Sequence, residues 1–329
     1  MPQTLIDLRV PTQASWQRDS LRQPRAGRML FITATWGACF IFIAWGLRDA
    51  PVLWFGALRA LIAGTALVAL GLMQHRPQPR GARAWGWITL TGLVNVSLAF
   101  AAMFAGVAGL ATGTAAVLAN AQPLLILLPA WWLYGEVVSA RTATALVVGF
   151  AGLVLVALPG GGGSGAALSL AAAAAVTAGT LLSRRLSGID VLAATGWHLL
   201  IGGLALAVFA MLVEGAPVID WTPRFMLSLA LLSLVGTAAT TVAWFVEARR
   251  ARLDNLTAWL FLTPVVGIVL AVWFLGERPA GWTAVGLAAT LVAMWVALRP
   301  PRPPSQDPPA VARGAREKTQ PPAANKARS

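Results

Sequence analysis

The polar side chains that interrupt otherwise apolar stretches of this 329-residue sequence are few and of particular types. Arg59 and His198 each sit well inside an apolar run, as do the amides Asn95, Asn120 and Gln122 and the hydroxyl of Thr263. Pro123 follows Gln122 directly, and Pro264 follows Thr263. Trp36 and Trp244 lie deep in their runs. These groups suit recognition of a small solute. A guanidinium attracts a carboxylate, amides and hydroxyls fix orientation, and indole faces wall an apolar body.

The same inventory is poor in bond-breaking chemistry. The chain has two histidines, one of them (His75) between runs, and one cysteine, Cys39. A lone cysteine forms no disulfide within its chain and no cysteine zinc cluster, and it reads as a small packing residue. None of the eight acids between residues 30 and 298 falls within a run interior: Asp49, Glu136, Asp190, Glu214, Asp220, Glu247, Asp254 and Glu277 lie at run ends or between runs. The Gly-Gly-Ser-Gly at 162–165 lacks the strand–turn–helix setting of a nucleophile elbow. An enzyme is not expected, nor a cofactor or a metal site.

These groups must be positioned by elements that are 57% hydrophobic overall and only 11% charged. A soluble domain carries roughly a quarter charged residues, so this composition cannot cover a water-exposed surface. Ten apolar runs appear, at 30–47, 52–73, 84–107, 111–134, 140–158, 166–183, 191–212, 225–246, 256–275 and 280–298. Each approaches the ~20 residues that cross a bilayer as a helix. The fold class expected is all-α integral membrane, with ten transmembrane helices.

Net charge is +13, but no basic face interleaves with aromatics, which argues against nucleic acid. The charge sits between runs and in the tails. With ten spans and a cytoplasmic N-terminus, 21 of the 25 Lys and Arg fall inside and 3 outside, Arg59 being within a helix. That asymmetry places both termini in the cytoplasm of a cell-membrane protein. Many of the 15 Trp lie near run ends, as an interfacial belt requires.

The fourth run closes on QPLLILLPAWWLYGE and the ninth on TPVVGIVLAVWFLGE. Thirteen residues separate Pro123 from Glu136, and thirteen separate Pro264 from Glu277. A shift of 141 residues superposes the two and also carries Phe104 onto Phe245. In the second run of each half, LRALIAG (58–64) matches WHLLIGG (197–203), pairing Arg59 with His198. The chain therefore divides into a polar tail 1–29, a repeat 30–158, a Gly-rich linker 159–165, a repeat 166–298 and a basic Pro-rich tail 299–329. Five spans is an odd number, so the second repeat crosses the membrane inverted. Inverted repeats place a site near mid-membrane that rocking exposes alternately to either side.

The proline positions predict kinks that free the carbonyls of Ala119 and Leu260 toward the solute path. Asn120 and Gln122 are two residues apart, which on one continuous helix turns them to different faces. Arg59 lies roughly 10 Å into its helix from the outer side. Glu136 and Glu277 end their helices and read as anchors or gating groups. Asn95, Ser97, Thr237, Thr240 and Thr241 are the remaining polar positions of the third and eighth runs, and most hydroxyls there bond helix backbone.

The duplicated order of Trp36-Gly37, Leu58-Arg59, a Pro-centred helix ending in Gly-Glu and a Gly-containing helix resembles the EamA domain of the drug/metabolite transporter superfamily. The resemblance covers 30–298. It implies export of amino acids or similar metabolites by alternating access, with membrane lipid and a small-molecule substrate as partners. It also implies peripheral fifth and tenth helices that could support a homodimer. In the second half Ala175-Val176 stand where the first has Trp-Gly. The other reading is a non-transporting structural or regulatory membrane protein on a degenerate transporter fold.

Overall fold

The computed structural model describes residues 23–110, 112–126, 129, 132, 139–157, 164–251, 256, 258–276 and 282–298. Every regular element among them is helical. Helix α1 spans Ala26–Gly46, α2 Val52–Met73 and α3 Ala82–Ala108. The fourth run holds α4 (Thr112–Ala119) and α5 (Gln122–Leu125). Then come α6 (Ala140–Ala157), α7 (Ser164–Ser183), α8 (Val191–Val213), α9 (Pro223–Ala248), α10 (Leu262–Leu275) and α11 (Thr283–Leu298). Six of these, α1, α2, α3, α7, α8 and α9, are long and apolar enough to cross a membrane, with or without the terminal turns that extend them. Their outer faces carry bare apolar side chains, such as Leu212 at 80% exposure and Val208 at 63%, a surface that lipid rather than water solvates.

Helix α1 begins at Ala26, before the apolar run, and buries Met29 completely. Glu136, Glu277 and most of the linker lie outside the described residues.

Helices α2 and α8 pack along each other, and their crossing is glycine on backbone. A Cβ on Gly64 would sit 2.5 Å from the backbone nitrogen of Leu200, and one on Gly203 3.0 Å from that of Leu61. The shift that carries Arg59 onto His198 carries Gly64 onto Gly203 and Leu61 onto Leu200, so each glycine meets the other's equivalent partner. The remaining packing is reciprocal in the same way. Helix α1 lies against α9 and α10, while α7 lies against α3 and the α4–α5 pair; α6 packs on α11.

Two features of the backbone differ from the kinked helices expected around Pro123 and Pro264. The fourth run breaks after Ala119, and α5 starts afresh at Gln122, placing Pro123 in its first turn. The ninth run opens with a 3-10 turn, Trp259–Phe261, and Pro264 again falls in the first turn of the α-helix that follows. Proline has no N–H, and the first turn is where a helix needs none. The second feature is a pair of π-helical segments, Leu93–Leu98 within α3 and Leu231–Ala239 within α9. They correspond under the shift of 141, which carries Asn95 onto Gly236 and Val96 onto Thr237.

Candidate functional site

A cavity of about 110 Å³ lies among α1, α2, α3, α7, α9, α10 and the α4–α5 break. At one end is an apolar cluster built on Phe55, Phe104 and Phe225. At the other is one built on Met29, Ile32, Ala248 and Leu260. Among the candidates read from the sequence, Trp36, Arg59, Asn95, Asn120, Gln122, Trp244 and Thr263 all line it.

Arg59 reaches it from α2 and is buried. Its Nε donates to Thr237 Oγ1 at 2.6 Å, and its Nη2 donates to the Gly236 carbonyl at 3.3 Å and to Cys39 Sγ at 3.7 Å. Its guanidinium carbon stands 4.8 Å from the centre of the Phe100 ring, a cation–π contact. The π-helical segment of α9 supplies two of these acceptors. Within it the Thr237 hydroxyl donates to Leu232 O, five residues back, at 2.8 Å. Such segments are rare and recur at functional sites because the widened turn re-aims backbone groups. The matching segment of α3 presents Asn95, which lies against Gly179 of α7, where any Cβ would collide with it. On the opposite side Cys39 of α1 lies against Gly236 of α9 in the same manner. Each contact joins the first helix of one repeat to the third helix of the other, with the large and small partners exchanged.

Trp36 and Trp244 form an aromatic wall, with ring centroids 5.2 Å apart. Trp36 Nε1 donates to Thr240 Oγ1 at 3.0 Å. Trp244 Nε1 and Gln122 Nε2 both donate to the Thr180 hydroxyl, at 3.2 and 2.9 Å. Thr180 thereby joins α5, α7 and α9 at one oxygen. Asn120 Nδ2 donates to Ala116 O at 2.7 Å, capping the end of α4. Asn120 and Gln122 both line the cavity, contrary to the different faces expected for them, because the break between α4 and α5 removes the helical twist that would separate them.

Two candidates stand elsewhere. His198 is fully buried on α8, outside the cavity lining, with Nδ1 against Ala194 O at 3.0 Å and its ring stacked on Phe245 at 5.3 Å. Phe245, not His198, reaches the cavity. Pro264 is buried at the start of α10 but does not line it. Pro123 stands in the first turn of α5, and its side chain lies outside the described residues.

Sequence reasoning gave Cys39 a packing role only and passed over Phe40, Phe100, Met103 and Thr180, all of which line the cavity. The duplicated shift could have found some of them: it carries Met103 onto Trp244 and Phe100 onto Thr241, both cavity residues on α9.

Glu247, near the end of α9, is fully buried and takes Arg28 at 2.7 Å and Arg250 at 2.9 Å. At the other end of the same helix Arg224 makes two hydrogen bonds to Asp49, at 2.6 and 3.0 Å, and Thr222 adds a third at 3.1 Å. The Arg224 hydrogen bonds hold the Asp49 carboxyl below the usual carboxylate range. Helices α1 and α9 are thus tied by ion pairs at both ends, with the cavity between. Among the described residues no group of His, Cys, Asp and Glu could hold a metal ion.

The EamA-like transporter family matches this chain twice, over residues 27–158 and 163–299. The chain belongs to the EamA-like transporter family. Together with its apolar helices, this makes it a multi-pass membrane protein of a family whose members are transporters rather than enzymes. A WAT1-related chloroplastic protein of Arabidopsis thaliana is 30% identical over 275 residues, which are 79% of this chain and 66% of that one. An uncharacterized transporter of Synechocystis is 28% identical over 285 residues, covering 79% and 86% of the two chains. A protein of Streptantibioticus cattleyicolor named a probable terminal-alkyne amino-acid exporter is 27% identical over 270 residues, covering 78% and 88%. A crystal structure superposes with a TM-score of 0.68 at 20% identity over 83% of this chain and 96% of the other, which is a likeness of fold.

Proposed function

We propose that this EamA-like protein is a secondary transporter that exports amino acids or related small metabolites across the cytoplasmic membrane by alternating access. It does so as ten spanning helices, two inverted five-helix repeats at 30–158 and 166–298, with both termini cytoplasmic. The observation that carries this reading is the position of the cavity. Its walls come from both repeats, with the counterparts α1 and α7 and the counterparts α3 and α9 all contributing, and its two π-helical segments are repeat counterparts, so rocking one repeat against the other reshapes the site itself. The exporter named among the relatives supports amino acids as the class.

Topology tests the inversion. Reporter fusions after Ser329 and within 159–163 are expected on opposite sides of the membrane, and same-side signals would remove it. Efflux of a panel of amino acids from proteoliposomes holding the full chain tests transport.

A further inference from the structure

We infer that Arg59 seats a carboxylate, and that the cavity selects small monocarboxylates whose single carboxylate is joined to an aromatic or apolar body; this rests on the cavity being the transport site. Arg59 is only 4% exposed, and a guanidinium stays protonated at any physiological pH. Two of its three nitrogens are engaged by Thr237, the Gly236 carbonyl and Cys39. The third, Nη1, is buried and has no partner among the described residues. Among the described residues no acid lines the cavity. A buried charge without a counter-charge is among the costliest arrangements a protein holds. The Phe100 ring beneath the guanidinium softens that cost but does not neutralise it.

The complement of this arrangement is an anion that takes the free Nη1 donor. Its single carboxylate follows from the count of cations, since among the described residues Arg59 is the one charged side chain in the lining and a second carboxylate would itself stay unpaired. A second unpartnered donor, the Thr263 hydroxyl, is buried in the same lining. The body follows from the Trp36–Trp244 wall. An ammonium finds no carboxylate among the described lining residues. It would meet amide oxygens and the Arg59 charge, so amines lacking a carboxylate are disfavoured.

The test is binding of radiolabelled 3-phenylpropionate to the full chain in lipid nanodiscs, with 3-phenylpropanol and 3-phenylpropylamine as competitors sharing its body. Saturable binding is expected, with both competitors at least about tenfold weaker, as loss of a charge-assisted hydrogen bond implies. Arg59→Gln should weaken binding by about tenfold or more, and Arg59→Lys by less than Arg59→Gln. Absence of saturable binding to the unaltered chain, equal competition by the alcohol or the amine, or unchanged binding by Arg59→Gln would each overturn the seat. Flux separates this from the reading it rests on. A carboxylate that binds through Arg59 but never crosses sinks the transporter and leaves the seat. Flux of amines and carboxylates alike, indifferent to Arg59, leaves the transporter and sinks the seat.

Discussion

Gly64 and Gly203 occupy equivalent positions in the two repeats, and each lets the other's helix approach to backbone contact. The prediction is direct. Gly64→Ala and Gly203→Ala each place a methyl within 3.0 Å of backbone that cannot rotate away, so α2 and α8 must separate. Overpacking of this kind costs about 1–3 kcal/mol. Thermal unfolding in detergent should show both variants clearly destabilised. Gly86→Ala, where an added Cβ meets nothing within 4 Å, serves as the control and should stay near the unaltered stability.

Thr180 is the second point of leverage. Its hydroxyl is the shared acceptor for Gln122 and Trp244. Thr180→Val keeps the shape and leaves two buried donors unsatisfied, at about 1–3 kcal/mol each before any relaxation. Stability should fall by an amount in that range. Flux should fall further than for the conservative Thr180→Ser, which keeps the acceptor. Equal stability and flux for Val and Ser would mean that the network does not position the cavity.

The Asp49–Arg224 pair predicts a pH dependence with a defined sign. The folded carboxyl titrates below its unfolded value of about 3.9, so its contribution is fully present above that value. It is lost as pH falls through the lowered folded value. Asp49→Asn should therefore lower Tm at neutral pH, and the gap from the unaltered chain should close under strongly acid conditions. A gap that is unchanged at low pH would mean that the substitution acts through packing instead of charge.

Much of this architecture was legible because lipid solvation and repeat symmetry write themselves into sequence. Apolar runs longer than a soluble core needs marked the helices, and the Pro-to-Glu spacing marked the duplication. Seven of the ten candidate solute contacts line one cavity because a polar group inside an apolar helix has few places to go except inward. What escaped is local. The break at Asn120–Ala121 was read as a kink, since sequence shows that a proline disturbs a helix but not that the helix restarts one residue before it. The π-helical segments carry no compositional signature. Burial of Glu247 depends on Arg28, more than two hundred residues earlier in the chain, and no pattern along the sequence joins them. His198 was drawn to the site by its chemistry, but Phe245 stands between.

Counterflow bears on the central claim, that both repeats share one alternating cavity. Proteoliposomes holding the full chain are preloaded with unlabelled L-phenylalanine or 3-phenylpropionate and diluted into trace label, with and without an imposed pH gradient. Among the described residues the cavity lining holds no acid that could bind a coupling proton, and the fully buried Glu247 is engaged by two arginines. Transient uphill accumulation of label driven by exchange alone is therefore predicted, little altered by the pH gradient and reduced at least about tenfold by Arg59→Gln. Absence of counterflow for every solute tried would contradict the account, as would accumulation that needs the pH gradient and ignores Arg59.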